Sequence, residues 1–413
     1  MEQNHVTIVG AGIVGISIAL ELQTQGFKVR VLDRSGVANE ASAGSAGAFA
    51  FADIVPLATP GIMLKAPKWL LDPLGPLSVP PAYAVKIAPW MLRFWRASWR
   101  DRYQAALAAQ STLNGFSSTA LERQIKNVDG EPLMQRDGQM QLYEGEQEFR
   151  ASLKSWEVRR AFGIAFEHLK SPEEIAEIQP GLDPRFTHAA FTPDWMNTID
   201  PRSWAEHLAQ AFKTRGGEIE RVEVLALEQS GDGFELMTPN GPLKASQVVV
   251  AAGAWSHHLA RTLGDRIPLE TERGYNTTLP AGAFDLRTQL TFGGHGFVAS
   301  RINGGVRIGG AVELGGLKLP PNFKRAEILL KKAAQFLPTL NTADGKQWMG
   351  FRPSMPDSLP VIGASPRASK VIYAFGHGHL GLTQSAGTAE LVAALICGKT
   401  PAVSTAPYAP TRF

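Results

Sequence analysis

Hydrophobic and polar positions along this chain follow two different periods, and the switches between them mark its elements. Val6–Val9 is a short apolar run of the kind that forms a parallel strand buried on both faces. Ile13 to Gln25 then carries helical spacing and stops at Gly26, and Lys28–Leu32 is a second apolar run that ends on Asp33. The same alternation returns further on. An amphipathic helix over Ser203–Arg215 is closed by Gly216-Gly217, a strand follows over Glu218–Leu227, another over Phe234–Thr238, and Gln247–Ala252 is another buried strand. It closes the chain with a strand over Val371–Phe375, a glycine-rich loop at 376–387 and a helix over Thr388–Cys397 ended by Gly398.

The intervening segments have a different texture. Helices are expected over 104–126, 145–162 and 171–179, and a strand pair over 133–143 around Asp137-Gly138. From Pro268 the pattern is β, with strands over Pro268–Pro280, Gly296–Ile302 and Gly305–Val312, before a helix over Lys324–Phe336. The predicted fold is therefore α/β, with a discontinuous Rossmann-like domain from residues 1–60, 200–265 and 345–413. A second, α+β domain with a mixed or antiparallel sheet takes 61–199 and 266–344.

Glycines at the first strand–helix junction give this plan its chemistry. Gly10, Gly12 and Gly15 have G-x-G-x-x-G spacing: the first for a tight turn, the second for close approach of backbone to a pyrophosphate, the third for helix–strand packing. The helix beginning at Ile13 points free N–H groups and the positive end of its dipole at the same place. Asp33, at the end of the second strand, is placed to accept hydrogen bonds from a ribose, and its charge disfavours a ribose that carries a phosphate. The stretch 40–61, rich in Gly, Ala and Ser, suits backbone lying close to a flat ligand, and the run into Gly253, Ala254 and Trp255 again puts small residues at a strand's carboxyl end.

Composition narrows the picture more than it extends it. A chain of 413 residues with 44% hydrophobic and 19% charged residues is an ordinary globular protein of two domains. A net charge of +3, with no basic run, argues against nucleic acid. The single cysteine, Cys397, forms no internal disulfide, and no metal site is expected from the cysteine and histidine spacing. The first strand begins within a few residues of Met1, so no signal peptide is expected; the expected location is cytoplasmic. One stretch is unusual: prolines punctuate residues 62–103, and within 86–100 Trp90, Phe94, Trp95 and Trp99 alternate with Lys86, Arg93, Arg96 and Arg100. It is either core with arginines at its edge, the reading preferred here, or a peripheral contact with the inner face of a membrane.

Five motifs span nearly the whole chain in order: GAGIVG with Asp33-Arg34, E-x-S-x-x-x-A-G at 40–47, AAGAWS at 251–256, WMGFRPSMPDSLPVIG at 348–363 and GHGHLGLTQSAG at 376–387. Together they resemble the D-amino-acid oxidase superfamily of FAD-dependent amine oxidoreductases, and within it the bacterial D-amino-acid dehydrogenases. The resemblance implies bound FAD and oxidation of a D-amino or D-imino acid, with oxygen, a quinone or an electron-transfer protein open as the acceptor. Carried over by position, Gly10, Ala11, Gly12, Ile13, Val14 and Gly15 would hold the pyrophosphate, and Asp33, Arg34 and the backbone of Val224 the adenosine. Ser42, Ala46 and Gly47 would lie along the flavin, with Ala252, Gly253 and Trp255 beside the cofactor. The segment Gly376, His377, Gly378, His379, Leu380, Gly381, Leu382 and Thr383 would present N–H groups to the flavin's pyrimidine edge.

Arg352 matches the arginine that clamps the substrate carboxylate, and a guanidinium fork is suited to that task. Tyr275 matches a pocket tyrosine, and Arg273 beside it is a candidate second carboxylate ligand or a structural charge. His295 stands where related dehydrogenases have a tyrosine, which makes a hydroxy-D-proline, oxidised to a cyclic imine, an alternative substrate. Trp348 and Met349 occupy the place where some sarcosine oxidases carry a flavin-tethering cysteine, so non-covalent FAD is expected. The competing readings are a non-catalytic FAD-bearing subunit and, more distantly, a nicotinamide dehydrogenase.

Overall fold

The computed structural model describes residues 4–63 and 77–413; part of the proline-punctuated stretch lies outside them. The chain is organised on a six-stranded sheet in the order Glu218–Arg221, Lys28–Asp33, His5–Val9, Gln247–Val250, Val371–Phe375 and Val361–Ala364. The first five strands run parallel and the last is an antiparallel edge. The strands at its centre, His5–Val9, Gln247–Val250 and Val371–Phe375, are mostly apolar, because a parallel strand covered on both faces has little polar side to show; Ile8, Val249 and Val371 have no exposed surface at all.

Helices Ile13–Thr24, Pro201–Thr214 and Gly381–Ile396 share one apolar core on one face with the long helix Arg100–Asn127. A three-stranded antiparallel meander, Ala226–Ser230, Gly233–Thr238 and Gly241–Ala245, and the short helix Ser256–Thr262 cover the other.

The second layer is a nine-stranded, largely antiparallel sheet. Its path runs Lys346–Ser354, Glu270–Leu279, Gly305–Glu313, Phe297–Ile302, Gln289–Phe292, Gln139–Glu144, Phe186–Thr192 and Glu167–Leu169, with Leu77–Ser78 added beside Gly305–Glu313. Helix Lys324–Phe336 packs on it, and Phe186, Phe292, Phe297 and Phe336 form an aromatic cluster between them.

Several segments lie elsewhere than their sequence position suggested. Arg100–Asn127 packs on the nucleotide-domain core, and Lys346–Ser354 belongs to the large sheet. The terminal helix begins at Gly381, not Thr388. The small residues of TQSAG look like a loop, but a Cβ on Gly387 would overlap Ser117 of the crossing helix, so their smallness serves close helix packing. The expected strand pair around Asp137-Gly138 does not form. Met134–Gln135 joins Met196–Thr198 and Ala48–Phe49 in a small sheet, while Gln139–Glu144 enters the large one. The strand expected over Glu218–Leu227 is cut in two at 222–225, where the chain turns along a cavity.

Among the described residues no helix is long and apolar enough to cross a membrane.

Candidate active site

A cavity of about 820 Å³ runs from the first glycine turn to the face of the large sheet. At its nucleotide end Gly10 has φ +117°, and a Cβ there would overlap the Ala251 carbonyl; a Cβ on Gly15 would overlap the carbonyl of Gly10. Both positions therefore require glycine, and the turn they make leaves backbone bare at the cavity wall, as close approach of a pyrophosphate requires. Ser42 Oγ accepts the Ile13 N–H (3.0 Å) and so joins the helix start to the loop at 40–47.

Asp33 Oδ2 accepts the Ala11 N–H (2.8 Å) and Oδ1 those of Ser35 (2.8 Å) and Gly36 (2.9 Å), which fixes the carboxylate at the cavity wall. Arg34 stacks 3.6 Å above the Trp255 ring and pairs with Glu40 (2.6 Å), opposite Val224 in the connection that divides the two strands.

The middle of the cavity is bordered by the loop at 42–46, and the second domain holds that loop by its carbonyls. Arg307 donates to Ala43 (3.2 Å) and Ser45 (2.6 Å), and Asn276 Nδ2 donates to Gly44 (2.9 Å). The Trp348 indole packs where a side chain at Gly44 would be. Burial lowers the Arg307 pKa, with the charge of Asp200 opposing it.

The substrate end follows from strand alternation. Glu272, Gly274 and Asn276 pair with Arg352, Gly350 and Trp348, and all six border the cavity. The Arg352 guanidinium crosses Gly274 and donates to the Ala311 carbonyl (3.2 Å). Burial lowers its pKa and the Glu272 carboxylate opposes that. A half-buried guanidinium with, among the described residues, one neutral acceptor suits an incoming carboxylate.

Across from it Asp53 lies 3.3 Å from His379 Nε2 and 3.8 Å from Arg159. Burial opposes ionisation of Asp53, but His379 and then Arg159 outweigh it and hold the pKa below the usual carboxylate range. Burial likewise disfavours the His379 cation, yet Asp53 and Glu272 raise its pKa over the opposing Arg352. His377, hydrogen-bonded to Thr388 (2.9 Å), is held neutral by burial, its pKa pushed down to about 3.

The cavity brings together most of the residues singled out in the sequence: Gly10, Gly12, Ile13, Val14, Asp33, Arg34, Ser42, Ala46, Val224, Ala252, Gly253, Trp255, Arg352, His377, Gly378, His379, Gly381 and Leu382. Ala11, Gly15, Gly47, Gly376, Leu380 and Thr383 stand behind that wall; Thr383 Oγ1, for instance, accepts the Ala50 N–H (2.9 Å).

Three candidates are placed differently. Arg273, on the opposite strand face from Arg352, is fully buried. It donates to the carbonyls of Gly316 (2.7 Å), Leu319 (2.6 Å) and Pro320 (3.0 Å) and lies 3.6 Å from Glu313, a structural charge that ties down a loop. Tyr275 borders the cavity, but its hydroxyl donates to Glu313 and accepts the Asn322 N–H. His295 is outside the cavity wall, 3.0 Å from Glu144 and against the Phe336 ring.

Sequence reasoning passed over Glu272, Asp53 and Arg307. The period of two through TERGYN puts Glu272 on the Arg352 face and was available as a signal for it. Asp53 and Arg307 carry no such signal, since each meets the site only through folding.

A family model described as "DAO: FAD dependent oxidoreductase" matches residues 5–395. The chain belongs to this family. Among curated relatives, a D-amino-acid oxidase of Bradyrhizobium diazoefficiens is 35% identical over 422 residues, covering 100% of this chain and 99% of the relative. A D-amino acid dehydrogenase of Xylella fastidiosa (strain M12) is 32% identical over 403 residues, covering 95% and 92%. In fold the chain is similar to a glycine oxidase from Geobacillus kaustophilus, with a TM-score of 0.77, 22% identity and 99% of each chain covered.

The cofactor of the DAO family is FAD, and the residues present suit it. The glycine cradle, the fixed Asp33 and the two helix starts at Ile13 and Gly381 supply N–H donors and room where a dinucleotide needs them. The enzyme is thus an FAD-dependent amino acid oxidoreductase of this family, which removes the nicotinamide reading.

Proposed function

We propose that the enzyme dehydrogenates a D-amino or D-imino acid at Cα, using non-covalent FAD. The observation that carries this reading is the Arg352 guanidinium, half-buried on the cavity face of the sheet beside the buried Glu272 carboxylate. One fixes the substrate carboxylate and the other faces its amine, so a zwitterion is held by both ends and its Cα is positioned between them. FAD, held by the glycine turn at Gly10–Gly15 and the helix starts at Ile13 and Gly381, would supply the two-electron acceptor for the α-hydrogen. The chain's part is to orient the Cα–H, to exclude water, and to offer N–H groups at the start of the helix Gly381–Ile396, where negative charge develops. The D configuration is supported by the names of the two relatives. The test is an anaerobic screen of the yellow holoenzyme against D- and L-amino acids, D-prolines and N-methyl amino acids. Bleaching by D substrates is expected; a protein bleached by no amine would be the FAD-bearing subunit instead. Reoxidation by oxygen, quinone or an electron-transfer protein then identifies the acceptor.

A hydroxy-D-proline is the second substrate reading. It is favoured by the amides of Gln139, Gln141 and Gln289 and the hydroxyl of Thr291, which give the cavity polar groups for a ring hydroxyl.

A peripheral membrane contact is part of the same proposal. On helix Ala84–Ala97, Ile87 and Trp90 are buried while Val85 is 89% and Leu92 63% exposed. At 100° per residue Val85, Ala88, Leu92 and Trp95 share one half of the outer face and Lys86 and Arg93 the other. Arg93 also borders a groove lined by Arg261, Arg266 and Arg367, which suits anionic headgroups. Flotation with phosphatidylglycerol vesicles, lost at high salt and in Leu92→Ser, is the expected result; flotation with neither anionic nor neutral vesicles excludes it.

A further inference from the structure

We propose that His379 and Asp53 form a dyad in which His379 takes the proton from the substrate's ammonium group as the amino acid docks, with Asp53 positioning the imidazole. The inference rests on the reading of Arg352 as the carboxylate clamp. An amino acid arrives as a zwitterion, and a protonated amine cannot supply the electrons that form the C=N bond. The ammonium must therefore lose one proton before Cα gives up its hydrogen.

One acceptor stands beside Arg352 and Glu272; the imidazole of His258 also lines the cavity, but on helix Ser256–Thr262 next to Trp255, which stacks on Arg34 at the nucleotide end. Arg352, Arg159 and Arg307 line the cavity as permanent cations. His377 is buried and already committed to Thr388, 2.9 Å away. Glu272 is engaged as the charge partner of Arg352 and of the incoming amine. His379 remains. It lines the cavity on the turn before helix Gly381–Ile396, and its Nε2 is 3.3 Å from Asp53 Oδ2.

Asp53 is itself held from behind. Its backbone carbonyl accepts from Gln110 Nε2 (2.9 Å) and Asn114 Nδ2 (3.2 Å), and Gln384 of the terminal helix holds Asn114 in turn (3.0 Å). Arg159 donates to the Ala52 carbonyl (3.1 Å) and lies 3.8 Å from the Asp53 carboxylate. With Nε2 on the Asp53 side, 3.3 Å from Oδ2, Nδ1 is the ring nitrogen left to take the proton.

The charged groups around this ring are Asp53 from the loop at 50–58, Glu272 and Arg352 from the two paired strands, and Arg159 behind Asp53. The two carboxylates favour the imidazolium and Arg352 opposes it. The step balances: one N–H bond of the ammonium breaks, one N–H bond forms on Nδ1, and the proton returns to solvent when the imine leaves. The oxidation itself is that of the family.

The experiment uses the holoenzyme, with retention of FAD absorbance as the check on folding. In His379→Gln, kcat should fall about 100-fold. The dissociation constants of acetate and propionate, read from the shift of the FAD spectrum, should stay within about 2-fold, because Arg352 alone holds the carboxylate. In Asp53→Asn the acid limb of kcat should move to lower pH, since the carboxylate that raises the imidazole pKa is gone; Asp53→Glu should restore it. Wild-type kcat in His379→Gln, or an acid limb unmoved in Asp53→Asn, overturns the dyad. Arg352→Ala separates the two readings: if acetate binding survives there, the clamp fails; if it is lost there while His379→Gln behaves as wild type, only the dyad fails.

Discussion

Arg352 lies across Gly274, so close that a methyl group on that glycine would overlap the guanidinium. The clamp and the gap it needs come from neighbouring strands, paired in the register Glu272 with Arg352 and Gly274 with Gly350. Gly274→Ala should therefore imitate loss of Arg352 while leaving the arginine in place. Two charge-assisted hydrogen bonds are worth roughly 3–4 kcal/mol, so Arg352→Ala should lower kcat/KM by about two to three orders of magnitude, mainly through KM. Gly274→Ala should follow in the same direction, and steady-state kinetics with a D-amino acid decides it. Unchanged KM in both variants would refute the clamp.

Arg307 should matter for the cofactor rather than the substrate. Removing it in Arg307→Met frees the carbonyls of Ala43 and Ser45, and the loop at 42–46 loses its tie to the large sheet. FAD affinity should fall about 10-fold, measured by reconstitution of the apoprotein, while KM changes less.

Arg273 and His295 should behave unlike catalytic groups. Arg273→Met leaves Glu313 and three loop carbonyls without their buried cation, at a cost of about 3–5 kcal/mol. The melting temperature should drop clearly, and the protein that remains folded should keep its KM. His295→Ala should leave kcat/KM within about 2-fold, since the ring faces Glu144 and Phe336.

His377 should make the fold acid-sensitive. Its pKa is pushed by burial to about 3 in the native state, below the ordinary imidazole value of 6.5. Below that ordinary value the unfolded chain binds a proton that the native state refuses. The stability His377 contributes is thus complete above the ordinary value and is lost as pH falls, with a slope approaching ~1.4 kcal/mol per pH unit. Urea midpoints compared between pH 7.5 and pH 5 should drop less in His377→Gln than in the wild type.

The nucleotide half of this enzyme was written locally in its sequence. A strand, a glycine turn, a helix and an acid lie within residues 5–33, and the forces that shape them act over a few residues: φ at Gly10, the space at Gly15, the hydrogen bonds of Asp33. Strand and helix types in the later segments were legible for the same reason.

What the sequence left undecided concerns partners far along the chain. Arg273 and Arg352 are both arginines on strands, and only the pleat and the pairing of Glu270–Leu279 with Lys346–Ser354 turn one into the cavity and the other into the loop behind it. Asp53 and His379 are 326 residues apart in number, and Arg307 reaches back to Ala43 over 264. No periodicity within a window of a dozen residues contains such meetings, because they are settled by which sheet faces which. The chemistry of the cofactor end was therefore fixed by local backbone sterics, and the identity of the groups that meet the substrate by tertiary packing.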